Sequence, residues 1–145
     1  MAGGKATTFD SDLLKLIFNG TPIAQLADNA ATAPLTFLYL SLHTADPGIG
    51  GLQSTQEATY GGYTRIPVPR DASGFVITGN MCVLANPEAF PIATSGDGQN
   101  ELFFAVGTAP TGTGKILYRG PLTPVVTIVT GQAPTLTTAT TITEN

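Results

Sequence analysis

Residues 101–122 read ELFFAVGTAPTGTGKILYRGPL: two runs of aromatic, β-branched and aliphatic residues, 101–108 and 115–122, on either side of APTGTG. These six residues, rich in Gly and Thr with one Pro, are enough for a turn and far too few for a crossover helix, so the two runs are expected to pair as an antiparallel hairpin. The turn also carries a hint of a phosphate-binding loop. That motif needs a glycine five residues before its Gly-Lys pair and Ser or Thr directly after it. Ala109 and Ile116 occupy those places, so the hairpin reading is preferred.

The same alternation of short apolar runs and Gly or Pro turns extends in both directions. Upstream, LTFLYLSLH (35–43) is apolar at nearly every position, as in a strand buried on both faces. YTRIPVPR (63–70) is extended, but Pro67 and Pro69 have no N–H for a ladder, which assigns it to a sheet edge. GFVITG (74–79) and MCVLA (81–85) meet at Gly79-Asn80, a second hairpin signal. Downstream, VVTIVT (125–130) and TLTTATTIT (135–143) are read as two further strands, since threonine fits a pleated surface. Only the beginning differs. FDSDLLKLIFNG (9–20) predicts a short helix with Asp10 or Ser11 as cap, Leu13, Leu14, Leu16 and Ile17 as apolar face and Gly20 as stop. TPIAQLAD (21–28) repeats that logic with Thr21 as cap. The expected fold is all-β, an antiparallel β-sandwich or jelly-roll-like barrel with a short helical N-terminus. Residues 1–8 are expected to form a flexible arm and 9–145 a single domain.

Composition restricts the function. Charged residues make up 11% of the 145, well under the roughly 25% usual for a soluble domain. A surface so poor in charge resists association weakly and suits a protein covered by partners. The six cations are scattered and the net charge is −4, so nucleic acid is not expected as a ligand. Cys82 is the only cysteine and lies in an apolar run, which excludes an intrachain disulfide and points to a buried, inert thiol. No apolar run reaches the length of a signal peptide core or a membrane span, so synthesis in a host cytoplasm without a membrane association is expected.

Candidate chemistry is sparse. Ser41, His43 and Asp46 could be parts of a catalytic triad, and Ser41 and His43 share a strand face roughly 7 Å apart by strand rise. Yet no nucleophile elbow accompanies them. Asp46, Pro47 and Gly48 are read instead as a structural turn, with Asp46 accepting from backbone N–H groups and Gly48 at positive φ. No catalytic residue, cofactor or metal site is expected, and His43→Ala is expected to cost little. Asp97 and Glu101 in TSGDGQNE (94–101) could pair or hold a cation, but the loop lacks the ligand count of a calcium site. Asn19-Gly20-Thr21 has glycosylation spacing without a secretory route. YGGYTR (60–65) leaves two readings open. Tyr60, Tyr63 and Arg65 are residue types enriched at partner interfaces, or the loop folds its own tyrosines inward.

The order of the pieces carries a resemblance. A leading helix is followed by LYLSLHTADPG, ATYGGYTRIPV, NPEAFPIATSGDGQNELFFAVGTAPTGTGKILYRGPL and a Thr-rich end. Over roughly residues 9–130 this resembles a family of small bacteriophage virion proteins whose members are often labelled tail fibre proteins, some resembling capsid cement (decoration) proteins. The resemblance implies a structural protein without catalytic residues. The function expected from it is a cement protein on the capsid exterior, bound to the major capsid protein as a homo-oligomer, with a dimer favoured. A tail or tail-fibre component contacting the host surface is the alternative.

Overall fold

A computed structural model describes residues 7–23 and 34–145. It contains one helix, α1 (Thr7–Phe18), and nine strands: β1 (Phe37–His43), β2 (Ile66–Pro69), β3 (Phe75–Thr78), β4 (Met81–Leu84), β5 (Glu88–Ala89), β6 (Asn100–Gly107), β7 (Ile116–Thr127), β8 (Thr135–Leu136) and β9 (Thr141–Thr143). All pairings with a defined register are antiparallel. The all-β fold with a short N-terminal helix is therefore present, and its sheets do not close into a barrel. The helix starts two residues inside the expected arm, and residues 1–6 lie outside the described residues. So does the expected second helix from residue 24 onward.

The described residues form two compact units. One comprises chain up to Phe37, Pro69–Pro87 and Thr137–Asn145. Here the sheet has the order β3-β4-β9. Phe75 faces Leu84 and Ile77 faces Cys82, which in turn faces Ile142, so alternate positions make one apolar face. Helix α1 packs on β3 and β4. Leu14 and Phe18, one turn apart and fully buried, are its inward residues, and the Phe18 ring lies 4.7 Å from that of Phe75. Leu13, Leu16 and Ile17, expected on the same face, are half-buried. Asp10 lies inside the first turn rather than capping it, where a carboxylate still complements the helix dipole. At the other end Gly20 takes φ +65°, and the Arg70 guanidinium donates to the carbonyls of Leu16, Ile17 and Leu35. An arginine thus satisfies helix carbonyls that have no N–H of their own to meet.

The second unit, Leu38–Val68 and Glu88–Leu136, is built on the sheet β2-β1-β6-β7. Strand β1 is central and, from Leu40 to His43, buried at every position. Strand β2, with its two prolines, is at the edge. The hairpin expected at 101–122 is β6–β7, but β7 does not stop at Leu122. The runs 115–122 and 125–130 belong largely to one twelve-residue strand. Pro121 and Pro124 fit because β7 is the opposite edge of the sheet, where a missing N–H costs no ladder bond. The Thr-rich tail is divided as well, into β8 and β9, by a turn in which Thr140 N–H donates to the Thr137 carbonyl.

Candidate functional site

Of the polar side chains singled out above, Ser41, His43, Tyr60, Arg65 and Glu101 of the second unit are buried. Segment 56–58 runs along the end of β1: Thr44 N–H donates to the Gln56 carbonyl, and Ala58 N–H to that of Leu42. This puts Glu57 beside His43 and within reach of Arg65. Arg65 makes a two-point contact with Glu57, Nε to Oε1 at 2.6 Å and Nη2 to Oε2 at 2.8 Å. Its remaining donors go to the carbonyls of Ala109 (3.0 Å) and Gly112 (2.6 Å) in the β6–β7 turn. The Tyr63 hydroxyl donates to Glu57 Oε1 and accepts from Leu42 N–H. Burial, with the Glu57 charge beside it, holds the Tyr63 hydroxyl well above its ordinary range, so it remains a proton donor. Its ring stacks on Phe90 and meets Tyr60 edge-on. Tyr60 itself is 3% exposed and Arg65 7%. The three residues offered as a partner interface thus hold their own loop to the sheet, the inward reading of YGGYTR. The guanidinium meets a carboxylate and two carbonyls inside the fold.

The histidine has a similar fate. His43 Nδ1 lies 2.8 Å from the Thr55 carbonyl, which can only accept, so Nδ1 carries the proton. Nε2 then accepts from the Ser41 hydroxyl at 2.8 Å. A serine donating to a histidine whose other nitrogen is held is the local geometry of an activated nucleophile. Both residues are 0% exposed, however, so no substrate reaches the hydroxyl. Asp46 is not part of this arrangement. It accepts from Gly48 N–H at 2.9 Å and lies 3.3 Å from Arg119, while Gly48 has φ +78°. Asp46, Pro47 and Gly48 therefore form a turn at the strand's end.

Burial lowers the His43 pKa, outweighing the Thr55 bond and the Glu57 charge that raise it. Below about pH 6.5 the unfolded chain takes the proton first, so acid is expected to erode stability from that pH downward. His43→Ala strands the Ser41 hydroxyl and the Thr55 carbonyl in a dry site. A loss of about 2–4 kcal/mol is expected, more than a strand-end residue would give, and the acid sensitivity should shrink with it. Urea melts of both chains between pH 5 and 8 measure this.

Two further residues, Gln53 and Glu57, organise this region, and little in the local sequence pattern marks either. Gln53 is fully buried; its Oε1 accepts from Ala109 N–H, and its own N–H donates to the Gly114 carbonyl. Gly107 and Gly114 make room for it, since a Cβ on either would come within 2.1 Å of a Gln53 side-chain atom. These close approaches, rather than a phosphate, account for Gly107 and Gly114 of GTAPTGTGKI, while Gly112 takes φ +73° in the turn. For Glu57 the one clue in the sequence is an acid eight residues before Arg65. Asp97 and Glu101 do not pair: Asp97 is exposed and accepts from Thr130 N–H, while Glu101 is buried in β6. No group of three or more His, Cys, Asp or Glu gathers as a metal site among the described residues. Cys82 is buried in β4, and burial pushes its thiol up to about 12.

Fold and site together define a small, mostly β module whose polar groups serve internal order. The chain belongs to the family of the Podophage GP4 fiber I protein gp80, whose model matches residues 6–143. That places it among the structural proteins of the phage virion. No curated protein matches the chain. Among the described residues no helix is long and apolar enough to cross a membrane.

Proposed function

We propose that this chain is a component of a phage tail fibre, a non-enzymatic β module that helps the virion contact its host. The observation that carries this reading is the family match over residues 6–143, because the family's description names a fiber protein. The capsid-cement reading, with the major capsid protein as partner on the capsid exterior, has no comparable match behind it and becomes the alternative. A structural rather than catalytic role is supported by the burial of Ser41 and His43 and by the inward use of Arg65 and Tyr63. Self-association into a homo-oligomer is supported by the low charge and by exposed Val76, Met81, Ile92, Val125 and Val129. No cofactor or nucleic acid enters the proposal.

Gold-labelled antibody against the chain, imaged on intact virions, tests the location. Label on fibres at the tail is expected. Label distributed over the capsid lattice with none on the tail would overturn the fibre reading in favour of capsid cement.

A further inference from the structure

Glu101 is the one carboxyl among the described residues that is fully buried with both oxygens lacking a hydrogen-bond partner. Such groups are rare in folded proteins because an ionised carboxylate held away from water has nothing to balance its charge. Loops continue from the strand ends beside it. Strand β6 places Glu101 opposite Val126 of β7, at a register shift that runs to Phe103. Beyond the strand ends, Ile128 N–H donates to the Gln99 carbonyl and Gly98 N–H to the Ile128 carbonyl. Asp97 anchors the far side through Thr130 N–H, and Gly61 exchanges bonds with Thr94 and Ser95. Gly96 lies flat on Tyr60, with room for no Cβ: one would sit 2.9 Å from the Tyr60 Cβ. These backbone bonds tie together the loops that flank Glu101 and Val126 in the chain, one of which packs on Tyr60, the side chain that senses the Glu101 charge.

We propose that Glu101 is a proton-operated latch and these loops its lid: protonated, it lets segments 94–100 and 126–131 close over Tyr60, and ionised, it draws water in and loosens them. Among the groups around it, Tyr60 is the titratable side chain that senses its charge, and it stays neutral and bonded to the Pro91 carbonyl. Asp97 on the lid is exposed and occupied by Thr130 N–H, and Val126 opposite carries no charge. Among the described residues no cation faces Glu101 to hold its ionised form, consistent with burial raising its pKa to about 7. The folded chain therefore keeps this proton to a higher pH than the unfolded chain does. Glu101 weakens the fold progressively as pH rises from about 4.5 to 7, and the effect then levels off.

The proposal is independent of where in the virion the chain sits, and it is tested on the full chain. Carbon-detected NMR of the wild-type side chains should show the Glu101 carboxyl titrating near pH 7. Amide exchange, corrected for its intrinsic pH dependence, should speed up about tenfold or more at Gly98 and Ile128 between pH 5.5 and 8.5 in the wild type. Glu101→Gln, which keeps the shape and cannot ionise, should remove that acceleration. A Glu101 carboxyl that titrates in the ordinary carboxylate range would overturn the latch. So would lid exchange that accelerates equally in wild type and variant. Should Glu101→Gln not fold, the wild-type titration and exchange decide alone.

Discussion

Arg65→Leu is expected to lower the stability of the folded chain by about 2–4 kcal/mol, somewhat under the cost of breaking a fully buried ion pair because the Glu57 side chain left behind is 18% exposed. Three groups lose their donor at once. Glu57 keeps a charge with only the Tyr63 hydroxyl to meet it, and the carbonyls of Ala109 and Gly112 lose the guanidinium that joins the β6–β7 turn to the 52–60 segment. Leucine refills part of the volume, so the loss reports electrostatics and hydrogen bonding more than cavity formation. Pairing the change with Glu57→Gln removes the stranded charge, and the double variant should recover roughly half of what Arg65→Leu loses. Urea denaturation of the four chains measures the coupling. A single-variant loss below about 1 kcal/mol is the behaviour of an exposed pair, and would mean that Arg65 is not held in a dry network. The Arg119–Asp46 pair provides the contrast: both side chains are partly exposed, and Arg119→Leu should cost under about 1 kcal/mol.

What the sequence made legible is what short-range chemistry alone decides. Hairpins β3–β4 and β6–β7 follow from apolar runs too close together to be joined in any other way. The edge position of β2 follows from two prolines without N–H groups. Strand β7 was less legible, since Pro124 reads as a break unless one knows that its side of the strand has no neighbour. The inward turn of Tyr60, Tyr63 and Arg65 was not legible for a deeper reason. The features that enrich Tyr and Arg at interfaces, broad apolar surface with a polar tip, are equally those of a buried network. Only the location of a complementary group separates the cases. Here that group is Glu57, brought within reach by the path of segment 56–58 along β1, a long-range fact no local pattern contains. Gln53 is hidden in the same way, visible only as the empty space that Gly107 and Gly114 leave for it.

Phe18→Ala is expected to remove about 3–5 kcal/mol, the loss usual for truncating a buried phenylalanine. Among the described residues, few large side chains make the core of its unit. Phe18 is fully buried, its ring is tilted 57° against Phe75 at 4.7 Å, and Leu14 one turn earlier is fully buried beside it. The sheet face beneath, Phe75, Ile77, Cys82, Leu84 and Ile142, is three strands wide and held in place by its ladders. It has little freedom to collapse into the space a ring leaves, so the cavity term is added to the lost transfer energy. The helix itself cannot compensate: twelve residues are marginal in water without tertiary packing. Phe18→Leu, which keeps most of the volume, should lose less than half as much, and Asp12→Ala on the exposed face should stay within about 0.5 kcal/mol. Thermal and urea melts of the three variants check this order. A loss for Phe18→Ala as small as that for Asp12→Ala would mean that α1 does not dock on β3 and β4 in solution.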